Sequence, residues 1–222
     1  MSYPHIQVID PGSRVAEIDA FNRLGESPYC RFSYHLPCMY GMESLNDLQS
    51  SPDAIIVFGS GASVYDDLPW IKELSTYLAR QVDNRVPLLG LCFGHQLIAA
   101  MYGGKVDFIS EDRHKLKGLR QISLDQNNDF WEGQTRGQFI VSHREEVTEL
   151  GDELEVFARS NECRYDGIRH KDKPVWGMQS HPEAGPGFAR NQDIEVDKEK
   201  APFESGALFM ASFCKMIAEK SS

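Results

Sequence analysis

Short apolar runs alternate with segments of helical spacing through the first hundred residues of the chain. The runs at residues 5–10, 53–59 and 85–91 (HIQVID, DAIIVFG and RVPLLGL) have the length and apolar content of buried strands. After each run, apolar residues recur with the spacing of one helix face: Val15, Ile18, Phe21 and Leu24, then Leu68, Ile71, Leu74 and Leu78, then Leu97, Ile98 and Met101. The alternation predicts a parallel sheet with helices on both faces.

After Gly104 the apolar runs become shorter and lie closer together, which favours hairpins or a mixed extension of the sheet. These runs lie at residues 105–110, 119–124, 137–142, 154–160, 163–170 and 173–180. Residues 185–200 are polar and predict a surface loop. Residues 201–220 predict a last helix that packs back on the sheet, with Leu208, Ala211, Cys214 or Lys215, and Met216–Ile217 at helical spacing. We therefore expect one α/β domain over residues 1–222, with a central, mostly parallel sheet flanked by helices and a smaller mixed or antiparallel β extension.

The composition narrows the classes of function. The 222 residues carry 33 acidic against 23 basic side chains, a formal charge of -10, and no basic cluster, so we expect no nucleic-acid partner. No apolar run of about 18 residues occurs, and the first residues lack the pattern of a signal peptide, so we expect no membrane span and a cytoplasmic location. The five cysteines are scattered, with no C-x-x-C pair, which argues against a disulfide framework and a zinc site. Neither common glycine-rich phosphate motif occurs, and we expect no cofactor and no metal.

The sequence GLCFG at residues 90–94 carries the strongest chemical signal. It fits the nucleophile-elbow pattern G-x-S-x-G with cysteine in place of serine, between a predicted strand and a predicted helix. The helix that begins at Phe93 points its free N–H groups and positive dipole end at the Cys92 sulfur, which favours the thiolate, and the Phe93 N–H can donate to an oxyanion. Cys92 is therefore predicted to be a nucleophile, whereas the other four cysteines are interpreted as small buried apolar residues.

A thiol nucleophile needs a base, and the base needs an orienting acceptor. Two of the seven histidines end a strand-like run and precede a glutamate by two residues, His143 in VSHREEV and His181 in MQSHPEAG. We favour His181 because Pro182 fixes the backbone between its side chain and that of Glu183, and because the apolar run before it is the stronger. Glu183 would then accept from one imidazole nitrogen while the other takes the thiol proton. His143 is interpreted as structural or as lining the site.

The loop after the second predicted strand, residues 57–67, is a candidate for the opposite wall of the site. Gly59, Ser60 and Gly61 follow a buried strand and can turn a backbone N–H toward a developing oxyanion. By itself a Gly-Ser-Gly turn is an ordinary loop.

Together these segments resemble the class I, triad-type glutamine amidotransferases. The chain has the family's order of motifs: VIDPGS, VFGSGASVYD, GLCFGHQ, VSHREEV and MQSHPE. The combination of GLCFGHQ with SHPE about ninety residues later is specific, and the resemblance extends from the first strand to Glu183. The loop at Gly59-Ser60-Gly61 departs from the Gly-Gly-Pro of many members.

The resemblance implies a flavodoxin-like glutaminase fold and thioester chemistry on glutamine without a cofactor. Cys92 would be the nucleophile, with His181 and Glu183 completing the triad. Phe93 and the Ser60–Gly61 region match the oxyanion donors. Gln96 matches the residue that holds the α-amino-acid end of the substrate, and Ser142, His143 and Arg144 match its neighbours across the cleft.

Three functions stay open at this stage. The first is an amidotransferase that hydrolyses glutamine and passes ammonia to a separate synthetase subunit. The second is a stand-alone hydrolase of other γ-glutamyl compounds with the same residues. The third, a non-catalytic paralogue that only binds, is disfavoured because Cys92, His181 and Glu183 are all present.

Overall fold

The computed structural model describes residues 3–47, 51–126, 131, 134–196 and 201–220. Within these residues the chain forms eleven strands: β1 His5–Ile9, β2 Arg31–His35, β3 Ala54–Val57, β4 Leu88–Leu91, β5 Lys105–Phe108, β6 Leu116–Leu124, β7 Arg136–His143, β8 Glu145–Glu149, β9 Leu154–Arg159, β10 Gly167–His170 and β11 Val175–Met178. The same residues form seven helices: α1 Ile18–Gly25, α2 Pro37–Tyr40, α3 Glu43–Asn46, α4 Pro69–Asp83, α5 Phe93–Met101, α6 Pro186–Asn191 and α7 Ala201–Lys220.

Nine of the described strands form one sheet in the order β2-β1-β3-β4-β11-β10-β9-β6-β7. Neighbours from β2 to β11 are parallel, whereas those from β11 to β7 are antiparallel. Strands β5 and β8 pair separately as a small antiparallel sheet. The predicted α/β class, with a mostly parallel centre and a smaller antiparallel extension, is confirmed.

Strand β11 lies elsewhere than the sequence indicated. We expected the run at 173–180 to belong to the extension, but β11 pairs parallel with β4 in the main sheet. All four residues of β11 are buried, as is typical of a strand covered on both faces. This position brings the residues after Met178 to the same sheet edge as the end of β4. Strand β2, which no apolar run indicated, adds the parallel edge beside β1.

The core is divided by the sheet into two layers. Ala54 and Ile56 of β3 face a cluster that includes residues of α1 and α7, while Ile55 and Val57 face a cluster built with α4 and α5. Successive side chains of a strand point to opposite faces, so a single buried strand serves both clusters. Helices therefore cover both faces of the parallel part, as predicted.

In two helices, some of the residues that the spacing placed toward the core are exposed instead. Val15 and Ile18 are 56% and 48% exposed, because α1 begins only at Ile18 and turns Leu24 toward the core. Helix α7 packs on the sheet as predicted, and Cys214 and Ile217 are buried together with Phe209 and Phe213, whereas Leu208 is 55% exposed. In α7 the buried face includes the aromatic residues Phe209 and Phe213, which the predicted spacing did not include.

The polar segment 185–200 is not simply a surface loop. Residues 197–200 lie outside the described part, but residues 186–191 form α6, and Phe188, Ala189 and Ile194 are buried against Ile140. A few apolar residues in a polar stretch are enough to hold a short helix against the sheet.

Within the described residues, no helix is long and apolar enough to cross a membrane.

We expect Gly94→Ala to lower the free energy of unfolding by about 2 kcal/mol. Gly94 lies where α5 crosses β3, and a Cβ there would come within 2.5 Å of the Val57 carbonyl oxygen, so the helix must move away from the sheet. Urea unfolding followed by circular dichroism measures the effect. Gly25→Ala is the matched control, because a Cβ at the end of α1 meets nothing within 4 Å and should be neutral or slightly stabilising. Equal unfolding midpoints for Gly94→Ala and the wild type would contradict the expectation.

Candidate active site

Cys92 occupies a strained corner between β4 and α5. Its φ of 51° and ψ of -100° place a non-glycine residue in a sparsely populated region of backbone space. Two backbone hydrogen bonds hold the corner: the Cys92 N–H donates to the Met178 carbonyl at 2.8 Å, and the Gln96 N–H donates to the Cys92 carbonyl at 3.0 Å. Strain kept in this way is typical of functional positions.

Gly90 explains the first glycine of the GLCFG pattern. A Cβ on Gly90 would come within 2.4 Å of the backbone of Gly94, so only a residue without a side chain lets α5 start this close to β4. The geometry is that of a nucleophile elbow, with the first turn of α5 directly behind the sulfur.

His181 follows β11 and is held beside the corner. Its N–H donates to the Ile140 carbonyl at 2.8 Å, and its ring Nδ1 lies 2.8 Å from Oε1 of Glu183. Both side chains are buried, and the ring of Phe188 in α6 lies 4.5 Å from the imidazole. The second ring nitrogen, Nε2, is buried and has no hydrogen-bond partner among the described residues.

Gly59, after β3, is in contact with both side chains. A Cβ on Gly59 would come within 2.8 Å of the His181 ring and 3.5 Å of the Cys92 Cβ. Cys92 and His181 therefore lie against the same glycine, and a side chain at position 59 would push the two residues apart. The sequence named Gly59, Ser60 and Gly61 in this loop, and of these three Gly59 is the residue that lies against the pair.

The charges around His181 favour its protonated form. Burial lowers the pKa of the imidazole, but the negative charges of the Cys92 thiolate and the Glu183 carboxylate, with the hydrogen bond to Glu183, outweigh it and raise the pKa to about 10. With a thiolate beside it, an imidazole with this pKa is protonated at neutral pH.

A cavity of about 640 Å³ opens over Cys92 and His181. Nine of the ten residues singled out from the sequence line it: Ser60, Gly61, Cys92, Gln96, Ser142, His143, Arg144, His181 and Glu183. The tenth, Phe93, is the first residue of α5; its side chain is buried in the core. The fold therefore brings together residues from distant parts of the chain.

The Ser60 hydroxyl is used inside its own loop. It donates to the Pro11 carbonyl at 2.8 Å and accepts from the Ala62 N–H at 3.2 Å. The Gly61 carbonyl accepts from the Arg144 guanidinium at 2.9 Å. These contacts shape the loop after β3, and leave backbone N–H groups as its candidate oxyanion donors.

His143 is tied into a buried network behind the cavity. Arg120, which forms a buried ion pair with Asp166 at 2.8 Å, donates to His143 Nε2 at 3.1 Å. The proton of a neutral ring therefore sits on Nδ1, which donates to the Glu145 carbonyl at 2.9 Å. Burial and the Arg120 charge lower the pKa of His143 to about 3. Both ring nitrogens are thus engaged within the protein, which does not fit a ring that binds substrate directly.

Four residues of this region were not found from the sequence. Gln179 contacts Cys92, Arg120 holds His143, Phe188 packs on His181, and Glu17 lines the cavity. Gln179 alone had a signal, because it lies two residues before His181 and next to the end of a strand. The other three come from elements whose packing the pattern did not indicate. In the described part of the chain, no group of three or more His, Cys, Asp or Glu side chains is placed to hold a metal ion.

Known proteins resemble this chain in sequence and in fold. A glutamine-hydrolyzing GMP synthase subunit of Methanocaldococcus jannaschii is 28% identical over 177 residues, covering 79% of this chain and 81% of that protein. The protein of the same name from Methanococcus vannielii is 31% identical over 180 residues, with 80% and 81% covered. The crystal structure of a glutamine amidotransferase from Thermotoga maritima superposes with a TM-score of 0.75 at 16% identity, covering 98% of this chain and 99% of that one.

The family model for glutamine amidotransferase class-I matches residues 33–197, which is most of the chain. Its span includes β3, the Cys92 corner, the His143 network and the His181–Glu183 pair. The match and the Methanococcus vannielii relative confirm the resemblance that the motifs indicated. This protein is an enzyme of the class I glutamine amidotransferase family.

Proposed function

We propose that the protein hydrolyses the side-chain amide of glutamine through a thioester on Cys92, and that Cys92, His181 and Glu183 act as a triad. One observation carries the proposal. The strained Cys92 corner and the buried His181–Glu183 pair lie on either side of Gly59, and all of them line one cavity. The family membership supports the same chemistry.

The reaction takes two steps. His181 accepts the thiol proton, and the Cys92 thiolate attacks the δ-carbon of glutamine; the C–N bond then breaks as His181 returns the proton to the leaving ammonia. Water next attacks the thioester with His181 as base, which gives glutamate and restores the thiol. Glutamine and water are thus converted into glutamate and ammonia, and the enzyme is unchanged.

The oxyanion needs donors beside Cys92. We propose the Phe93 N–H, at the start of α5, and a backbone N–H of the Ser60–Gly61 loop. Phe93 lies within the first turn of its helix, where N–H groups have no partner in the helix, and the positive dipole end adds to the effect. A donor of this kind contributes about 3 kcal/mol to the transition state.

Gln96 is placed to hold the amino-acid end of the substrate. Its amide nitrogen donates to the Glu145 carbonyl at 2.6 Å and to the Gln179 side chain at 3.2 Å. The Gln96 carbonyl oxygen is therefore the group left to accept from the substrate ammonium. Ser142 and Arg144 line the same cavity, where the Arg144 guanidinium can pair with the substrate carboxylate. We assign His143 to positioning, because its ring is engaged.

We propose that ammonia passes to a separate synthetase subunit. The support is the name shared by the two relatives, which describes each as one subunit of a GMP synthase, and each is matched over about four fifths of its length.

We also propose that residues 1–222 form a single domain. The cytoplasmic location stays a prediction of the sequence.

Hydrolysis of a larger γ-glutamyl compound is the second candidate. The cavity volume of about 640 Å³ lies in the range that holds drug-sized ligands, so the cavity has room for a compound larger than free glutamine. Arg14 and Lys115 on the cavity wall could pair with a carboxylate of an attached amino acid. Turnover of γ-glutamyl dipeptides without turnover of glutamine would favour this candidate.

Incubation with glutamine should give a γ-glutamyl adduct on Cys92, detected by intact-mass spectrometry after acid quenching. Cys92→Ala should abolish both the adduct and ammonia release, because no other cysteine of the described residues lines the cavity. Cys38→Ala is the matched control, since Cys38 is the most exposed of the other cysteines and should leave both signals unchanged. An adduct that persists in Cys92→Ala would refute the assignment of the nucleophile.

Glu183→Gln should lower kcat for glutamine about a thousandfold, because the imidazole loses the carboxylate that orients it and stabilises its charge. Ammonia release under saturating glutamine measures the change. Glu153→Gln offers a matched control: Glu153 also lies beside a histidine, 3.3 Å from His170, but away from the cavity. A similar loss in both variants would mean that Glu183 acts only on stability.

Glu17→Gln should make the protein more stable at high pH. Burial, followed by the charges of Glu183 and Asp10, raises the pKa of Glu17 from 4.5 to about 7. The folded protein therefore binds a proton that the unfolded chain has released, and the charged Glu17 lowers stability increasingly as the pH rises from 4.5 to 7.

Because Glu17 is only half-buried and solvent screens its charge, we expect Glu17→Gln to gain about 1 kcal/mol at pH 8. The gain should disappear near pH 4.5. Urea unfolding at both pH values measures it, with Glu26→Gln, exposed at the end of α1, as the control. A gain of equal size at both pH values would contradict the cause given.

A further inference from the structure

Two glutamine side chains lie behind the Cys92 sulfur. Gln179 is fully buried, and its amide nitrogen Nε2 lies 3.7 Å from Cys92 Sγ, within hydrogen-bond range for sulfur. Its side-chain oxygen accepts from Gln96 at 3.2 Å. Gln179 is thus a buried polar contact of the Cys92 sulfur.

The Glu145 carbonyl determines which way both amides point. A backbone carbonyl can only accept, so the atom of Gln96 at 2.6 Å from it must be the NH₂ group. The second N–H of Gln96 then faces Gln179, which must present its oxygen there. The NH₂ group of Gln179 is consequently the one that faces the sulfur. Reversal of the Gln96 amide would bring two oxygens together, and reversal of the Gln179 amide would bring two NH₂ groups together.

The acceptor is itself held by a closed network. His143 donates to the Glu145 carbonyl, Arg120 donates to His143, and Arg120 is paired with Asp166. The Asp166 backbone carbonyl accepts from the Gln179 backbone N–H at 2.8 Å, so the network closes on Gln179 itself. Arg120 and Asp166 are both buried, and a buried charge without a partner is strongly destabilising, so each holds the other in place.

We propose that Gln179 is a catalytic residue that donates a hydrogen bond to the Cys92 thiolate, and that Gln96, His143 and the Arg120–Asp166 pair are positioning residues that keep its donor turned to the sulfur. The inference rests on the proposed function in treating Cys92 as the nucleophile. A hydrogen bond to the charged form stabilises the thiolate over the thiol.

The test is the rate of Cys92 alkylation by iodoacetamide between pH 5 and 10, followed by intact mass. Gln179→Met keeps the volume of the side chain and removes the donor. We expect the midpoint of the pH curve to rise by about one unit, so that the rate at low pH falls about tenfold and the rates converge at high pH. An unchanged midpoint, or a loss by the same factor at every pH, would overturn the proposal.

The other titratable and charged groups that line the cavity are unchanged in this variant. The main ones are Glu17, Lys115, His143, Arg144, His181 and Glu183. Gln7→Met is the matched control: Gln7 is also buried and hydrogen-bonded, to Tyr77, but lies in β1 away from the cavity, and its loss should leave the midpoint unchanged. A shift in Gln7→Met equal to that in Gln179→Met would overturn the proposal.

Gln179→Glu provides a second variant of the same size if Gln179→Met does not fold. It replaces the donor with a carboxylate oxygen, and should raise the midpoint more than methionine does; a lower midpoint would overturn the proposal. Alkylation requires no glutamine, so the two proposals fail separately. A shifted midpoint in a protein that never turns over glutamine would support the thiolate donor and reject the glutaminase.

Discussion

The parallel pairing of β4 with β11 is the constraint on which the site depends. The register places Leu91 opposite Met178, so the two strands end at the same level and the chain leaves them side by side. One exit leads to Cys92, and the other to Gln179 and His181. The hydrogen bond from the Cys92 N–H to the Met178 carbonyl carries this pairing into the corner itself. A shift of register by one residue would reverse the side chains and separate the groups.

The site contains several ionisable side chains that are largely removed from water, a costly arrangement for charged groups. Glu183, Asp10 and Glu17 lie near one another, and burial raises the pKa of both Asp10 and Glu17. Asp10 is accommodated by hydrogen bonds from Tyr34 and from the backbone N–H groups of Gly12 and Glu17, which also shape the loop before α1. The positive charge of His181 is thus balanced by acidic neighbours, while His143 is kept neutral by burial and by the guanidinium beside it. Two histidines of one cavity are held in opposite protonation states by their neighbours.

Much of the fold was accessible from the sequence because strands and helices alternate with clear apolar periods. The sheet class and the cysteine corner followed from local patterns, since GLCFG encodes a steric requirement within five residues. The membership of β11 in the parallel sheet did not follow, because a buried run looks alike in either sheet. The burial of Phe188 and the Arg120–Asp166 pair depend on contacts between segments far apart in sequence, which no single-chain pattern reports.

Helix α6 has a consequence for how protons move. Phe188 packs on the His181 ring, Gly59 lies at the ring edge, and the buried nitrogen Nε2 faces solvent by way of the cavity that His181 lines. A bound substrate would occupy that route. In the proposed reaction, the hydrogen taken from sulfur would then be trapped in the enzyme until it leaves as part of ammonia, and bulk solvent would supply one only when the product has departed.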